Sequence, residues 1–159
     1  MTAQIGLGLS VVSAGLWSGL LLTVTTILHP MYASRDSGEF ARDMRRFLPI
    51  ARKSPTNSIL VSLLVCAPVV ALVGLRQEPT SAPFVLTAAG LAVTVAGPLL
   101  TSRLLAEPNY AVILSWDPEA VPIDWRTARA RYFRWNWVRA AATWMAFALF
   151  LAAGYLYLT

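Results

Sequence analysis

Residues 5–28 of the chain read IGLGLSVVSAGLWSGLLLTVTTIL and contain no charged side chain. A helix that crosses the hydrocarbon layer of a bilayer, about 30 Å thick, needs about 20 apolar residues. This stretch is therefore long enough to span a membrane. Three further uncharged runs follow, at 58–75, 82–102 and 140–159. Because lipid offers the backbone no hydrogen-bond partners, uncharged runs of this length are expected to be helical.

The four runs predict an all-α fold: an integral membrane, antiparallel four-helix bundle in a single domain over residues 1–159. Residues 29–57 and 103–137 are expected to form a cytoplasmic cap on this bundle. The first run lacks the basic start and the small-residue cleavage site of a secretion signal, so we interpret it as a retained span. The predicted spans are about 5–28, 58–75, 82–102 and 138–158.

The composition favours a membrane protein over a soluble domain. Hydrophobic residues make up 57% of the chain and charged residues 13%, against about 25% charged in average soluble domains. Cys66 is the only cysteine, which excludes a disulfide scaffold and a cysteine-ligated zinc site within one chain. No nucleotide-binding loop, dinucleotide-binding glycine pattern or serine-nucleophile motif is present, so hydride transfer from nicotinamide and serine hydrolysis are poorly supported.

The net charge of +5 indicates a membrane topology. Basic residues concentrate on the cytoplasmic side of membrane proteins. Here six lie within 29–57 and six within 103–139, and Arg76 is the remaining one. Both termini and the short 76–81 turn are therefore predicted on the non-cytoplasmic side, and the long loops in the cytoplasm beside anionic headgroups. The charge needs no nucleic acid partner.

Small residues spaced four apart let membrane helices approach closely, and they recur in the first and third spans. We expect them to face neighbouring helices, and we expect Pro68 and Pro98 to kink their spans. The small residues are Gly15, Gly19 and Thr23 in the first span, and Thr87, Gly90, Thr94, Gly97 and Thr101 in the third.

His29, the only histidine, follows the first run. Pro30 after it disfavours helical geometry at His29. A histidine at a membrane interface can cap a helix or bind a headgroup. Because its charge changes near neutral pH, it can also act as a general base, or it can be an axial ligand to haem or another metal. One histidine alone cannot form a structural zinc site.

A stripe of polar and aromatic side chains precedes the fourth run. At 100° per residue, six side chains fall within about 80° of one another on a single helix. They are Trp125, Arg129, Tyr132, Asn136, Arg139 and Thr143. With Asp124 as N-cap, this helix is predicted to continue into the fourth span and to carry Asn136 and Arg139 toward the bundle interior. The alternative is an interfacial helix whose arginines bind lipid phosphates, which Arg126, Arg131 and Arg134, off the stripe, fit better.

The polar segments beside the spans complete the pattern. Prolines and aspartates between the third span and the stripe predict ordered turns that carry Asn109 and Trp116. Residues 39–51 have apolar side chains at helical spacing and predict an interfacial amphipathic helix. Asn57, at the start of the second span, is expected to face the same polar zone.

Together these residues resemble the motif of a membrane family. They resemble the pattern of the anthrone oxygenase-like family, long catalogued as a domain of unknown function. That pattern consists of an asparagine, two tryptophans, arginine-x-arginine-aromatic and a closing arginine. The four spans, the length and the long loop before the last span also match. Relatives commonly have Trp where Tyr132 stands and often His where Asn136 stands. If the latter position transfers protons, the titratable group is lost here or its role has moved to His29. The motif residues are Asn109, Trp116, Trp125, Arg129, Arg131, Tyr132, Asn136 and Arg139.

The resemblance implies a membrane monooxygenase that oxidises a hydrophobic phenolic or anthrone-like aromatic compound, of the aromatic polyketide type, with dioxygen. Removal of the acidic benzylic proton gives an enolate that reacts with dioxygen, so the protein must supply a base, donors to the oxyanion and a pocket. In this hypothesis His29 is the base. The oxyanion donors are Arg129, Arg139, Asn109 and Asn136, and the substrate-binding residues are Trp116, Trp125, Tyr132 and Asn57.

Other functions stay open at this point. The leading mechanism needs no cofactor, whereas a haem- or metal-dependent oxidase would use His29 as ligand. A non-catalytic accessory protein would bind a lipid, a quinone or another subunit. A transporter or channel is disfavoured, because no charged residue lies in the middle of a span. The expected partners are an aromatic small molecule, dioxygen and the lipid bilayer, and the lipid-facing surface leaves room for a homo-oligomer.

Overall fold

The computed structural model describes residues 1–159 and contains helices but no strand. Four of its five helices are long and apolar enough to cross a membrane. This confirms the predicted all-α class with four candidate spans and fits a multi-pass membrane protein. The helices are α1, Thr2–Ala33; α2, Ser37–Lys53; α3, Pro55–Leu75; α4, Ala82–Ser115; and α5, Trp125–Leu158.

The four long helices form a bundle in which neighbours run antiparallel. Helix α1 packs against α3 and α5, and α4 packs against the same two helices. The direction is visible where the start of α1 meets the end of α3, at Gly6 and Ala71. Likewise, α5 runs opposite to α1, because the Ser18 carbonyl of α1 accepts from the indole N–H of Trp144 at 3.4 Å, whereas His29, later in α1, lies beside Asn136, earlier in α5.

Small residues allow the closest helix contacts, although not always at the predicted positions. In α4 the predicted stripe is buried except for Gly97, which is partly buried. A Cβ on Gly90 would lie 2.5 Å from the ring of Phe150. In α1, Gly19 and Thr23 are instead exposed, so the prediction for those two residues is wrong. The close approach of α1 to α3 occurs at Gly6, where a Cβ would lie 2.7 Å from Ala71 Cα.

Helix α1 continues through the His29-Pro30 pair to Ala33. The expectation that His29 leaves helical geometry is wrong, since its φ is −62° and its ψ is −49°. A π-helical turn over Val24–Leu28 precedes it, and the His29 N–H donates to the Val24 carbonyl. The wider turn explains the continuity, because proline lacks an N–H and its ring crowds the carbonyl four residues earlier in an α-helix.

Helix α4 uses the same device and is longer than the predicted span. A π-helical segment, Val95–Leu100, contains Pro98, and a second one, Ser102–Ala106, follows it. The helix then runs to Ser115, well past the predicted end of the span at residue 102. In α3, by contrast, Pro68 lies within an uninterrupted α-helix.

Residues 29–57 and 103–137, here called the end assembly, pack on one another at one end of the bundle. Helix α2 confirms the predicted amphipathic helix, and it begins with a reciprocal capping pair between Asp36 and Glu39. Its buried residues Phe40 and Met44 contact Tyr132 and its neighbours in a single apolar cluster. That this end lies in the cytoplasm stays a prediction.

The α1–α3 contact can be tested with a matched pair of glycines. We expect Gly6→Ala to destabilise the protein by about 1–3 kcal/mol, because the added methyl meets backbone that must move. Gly8→Ala adds the same methyl where nothing lies within 4 Å, so we expect an unchanged or slightly raised melting temperature. Thermal unfolding of both variants in detergent measures the difference. Equal melting temperatures would contradict this packing.

Candidate functional site

The predicted stripe forms the inward face of α5. Tyr132, Asn136 and Thr143 are buried, and Trp125, Arg129 and Arg139 are partly buried. The off-stripe arginines Arg126, Arg131 and Arg134 are exposed. Asp124 takes the N-cap position, although its side chain makes no capping hydrogen bond. The helix therefore carries Asn136 and Arg139 to the bundle interior.

A hydrogen-bonded chain that is buried at His29 and partly buried at Arg139 joins α1, α5 and α4. The amide nitrogen of Asn136 lies 3.2 Å from Nε2 of His29. The amide oxygen of Asn136 accepts from Nη1 of Arg139 at 3.2 Å, and the same nitrogen donates to the Tyr110 hydroxyl at 3.0 Å. With Asn136 as donor, Nε2 of His29 is the acceptor and Nδ1 carries the proton. We call His29, Asn136, Arg139 and Tyr110 the polar chain.

His29 lies at the enclosed end of this chain. Its residue is 5% exposed, and its ring centroid lies 4.5 Å from that of Phe133 and 5.6 Å from that of Tyr132. Nε2 faces Asn136, and Nδ1 is buried without a partner. These surroundings leave no open face for a porphyrin, so they do not fit an axial haem ligand. No group of three His, Cys, Asp or Glu side chains could hold a metal ion.

A cleft of about 870 Å³ is lined by Asn136 and by residues from all five helices. Tyr110, Tyr132, Asn136 and Arg139 form its polar wall, and Asn57 also lines it. His29 does not line this cleft. Its apolar wall is formed by Trp17, Leu21, Val61, Leu64, Pro98 and Leu99.

The charged groups of the cleft are mostly basic. Arg52, Arg103 and Arg139 line it, together with a single carboxylate, that of Glu107. Glu107 forms an ion pair with Arg52. Neither Arg103 nor Arg139 makes an ion pair with a carboxylate, and the buried Nε of Arg139 has no hydrogen-bond partner.

Arg129 and Trp125, two other predicted site residues, lie outside this cleft. Nη1 of Arg129 donates to the carbonyls of Tyr32, Ala33 and Arg35 at 3.2–3.3 Å. Its guanidinium carbon lies 4.4 Å from the centroid of the Trp125 ring. The last carbonyls of a helix have no partner within the helix, so Arg129 stabilises the end of α1.

Asn109 and Trp116 line a second, smaller cleft of about 380 Å³ between α4 and α5. The Asn109 amide donates to the Ala128 carbonyl at 3.0 Å, which ties the two helices together. The nine predicted site residues are thus distributed. The large cleft contains Asn57, Tyr132, Asn136 and Arg139, and His29 joins it only through Asn136.

The sequence did not identify four ionisable residues of the large cleft as site residues: Tyr110, Glu107, Arg103 and Arg52. Three of them lie on the part of α4 that was expected to be a loop. Extending the helical period past residue 102 would have placed Arg103, Glu107 and Tyr110 on one face, because residues spaced three and four apart are neighbours on a helix.

Comparison with protein-family models, with curated proteins and with solved structures gives no match.

The structural role of Arg129 can be tested against an exposed arginine nearby. Arg129→Met removes a charged donor from three carbonyls, and hydrogen bonds to charged groups are worth about 1.5–3 kcal/mol. We expect a clear drop in melting temperature in detergent. Arg131→Met changes an exposed side chain with no hydrogen bond or ion pair to the protein, and it should leave the melting temperature within a degree or two of wild type. Equal effects of the two substitutions would contradict the role of Arg129 in closing α1.

Proposed function

We propose that the chain is a membrane-embedded oxygenase that oxidises a hydrophobic phenolic or anthrone-like aromatic compound with dioxygen. The substrate occupies the large cleft between the apolar wall and the polar chain. The observation that carries this proposal is Arg139, a partly buried guanidinium with no carboxylate partner that lines the cleft. An ionisable group at this depth in a membrane bundle is costly and is a functional hypothesis by default.

Arg139 suits the stabilisation of an enolate oxygen. Its guanidinium is always charged and presents several donors in a planar fork. Both of its hydrogen bonds leave from Nη1, so the Tyr110 hydroxyl and the Asn136 amide oxygen hold the group in place while donors remain for a ligand. The apolar surroundings lower the effective dielectric and strengthen its interaction with a developing negative charge.

The proposed reaction balances with dioxygen alone. Loss of a proton from the ring CH₂ gives the enolate, whose carbon is oxidised by dioxygen. The second ring hydrogen and the proton leave with one oxygen atom as water, and the other oxygen becomes the new quinone carbonyl. The protein needs to bind the ring, stabilise the oxyanion and accept one proton.

Glu107 is the proposed proton acceptor, and His29 is a positioning residue. Glu107 is the one carboxylate that lines the cleft, and it lies one helical turn from Tyr110 on α4. His29 does not line the cleft, and its Nε2 faces Asn136, so direct proton abstraction would require Asn136 to move aside. Its proposed role is to orient the Asn136 amide.

The activity test is oxygen uptake by purified protein in uncharged detergent with an anthrone. We expect wild-type protein to accelerate uptake and Arg139→Gln to lower the rate by about 10²–10³, the usual loss for one oxyanion donor. The control is Arg46→Gln, an exposed arginine of α2, which should react at the wild-type rate. No uptake by wild-type protein, together with a co-purifying quinone or lipid, would instead support a non-catalytic binding protein.

The assignment of the proton acceptor has its own test. General base catalysis contributes about 10²–10⁴ in rate, so Glu107→Gln should lower kcat by that order. His29→Gln keeps an acceptor for the Asn136 amide, and we expect it to retain most of the activity. The reverse result, with His29→Gln inactive and Glu107→Gln active, would make His29 the base. Circular dichroism and melting temperature separate these outcomes from unfolding.

A further inference from the structure

We infer that the ligand of the large cleft carries a carboxylate in addition to its aromatic ring, and that Arg103 binds this carboxylate. The inference rests on the proposed function, in which that ligand is the substrate. The carboxylate lies on a part of the substrate away from the ring carbon that reacts. The substrate class is then an aromatic carboxylate.

The charge balance of the cleft carries the inference. Of its three arginines, Arg52 is paired with the carboxylate of Glu107, which is the only acidic group in the lining. In the proposed reaction Arg139 stabilises the enolate oxygen. This leaves Arg103 as a cation with no protein partner, since it makes neither an ion pair nor a side-chain hydrogen bond. A second anionic group on the ligand would complete the charge balance.

The position of Arg103 separates the two ends of such a ligand. Arg103 is exposed although it lines the cleft, so it lies where the cleft opens to the surroundings. Arg139 is partly buried beside Tyr110 and Asn136. A ligand can therefore hold its ring against the apolar wall near Arg139 and its carboxylate at Arg103. Carboxylates pair with arginine in a planar, bidentate geometry.

Among the exposed arginines of the end assembly that make no ion pair or hydrogen bond, Arg103 alone lines the cleft. Arg45, Arg46, Arg126 and Arg134 are exposed but do not line the cleft, and they suit contact with lipid headgroups. The volume of about 870 Å³ also lies within the usual range of about 300–1,000 Å³ for small-molecule sites. A polycyclic aromatic acid fits this combination of size, apolar wall and unpaired cation.

The test compares two probes that bind without reacting, anthracene-2-carboxylate and the neutral anthracene-2-methanol. Both absorb where tryptophan emits, so quenching of the tryptophans, including Trp17 in the cleft wall, reports binding in an uncharged detergent. We expect wild-type protein to bind the carboxylate up to about tenfold more tightly, a difference of about 1.4 kcal/mol, because arginine forms charge-assisted hydrogen bonds with a carboxylate. Arg103→Gln should remove this preference and leave the affinity for the neutral probe unchanged.

The controls locate the effect and its source. Arg46→Gln should retain the preference, and Arg103→Lys should retain part of it. Equal wild-type affinity for the two probes, or a preference that survives in Arg103→Gln, would overturn the inference. Stoichiometric displacement of the carboxylate probe by phosphatidylglycerol would also overturn it, because the anion would then come from the bilayer.

The outcomes for this inference and for the proposed function remain distinguishable. Neither probe has an acidic ring CH₂ group, so the binding preference is measured without any oxidation. Oxygen uptake with a neutral anthrone and no carboxylate preference would leave the oxygenase proposal standing and remove this inference. A carboxylate preference with no uptake by any anthrone would remove the oxygenase proposal and leave a binding site for an aromatic acid.

Discussion

The requirement that every backbone polar group in lipid be hydrogen-bonded within the protein governs this structure. Prolines oppose that requirement, yet α1 and α4 pass through Pro30 and Pro98 without ending. They do so by changing to π-helical turns before or around the proline. Because both helices continue, they carry His29 on α1 and the row from Arg103 to Tyr110 on α4 up to the level where the stripe of α5 crosses them.

The end assembly holds the polar residues at that level in fixed positions. Arg129 binds the last carbonyls of α1, and Asn109 binds a carbonyl of α5. These two residues use their donors on the backbone and so stabilise the geometry around the cleft. Arg139, on the same face of α5 as Arg129, binds a hydroxyl and an amide instead. Two arginines of one stripe therefore have different chemical roles, which follow from what the neighbouring helices bring to each.

The sequence predicts what happens along a single helix better than what happens between helices. The uncharged runs indicate the four long helices, and the 100° period places Tyr132, Asn136 and Arg139 on one inward face of α5. The period cannot show which residues of α1 and α4 meet that face. It therefore groups Arg129 with Arg139 and misses Tyr110. The rule for residues before proline fails at His29, whose own backbone stays helical. The preceding π turn relieves a different clash, the one between the proline ring and the carbonyl four residues earlier, and so lets the helix continue.

Arg139 is partly buried without a carboxylate partner, and this costs free energy. Burying a charge costs several kcal/mol unless partners compensate for the lost water, and the dipoles of the Tyr110 hydroxyl and the Asn136 amide compensate only in part. A carboxylate would compensate more fully, but it would also cancel the positive potential that the proposed enolate intermediate needs. The orientation of Asn136 is then decisive, since a flipped amide would turn its NH₂ group toward the guanidinium. His29 opposes that flip, because its Nε2 accepts from the amide nitrogen and so keeps the amide oxygen on Arg139.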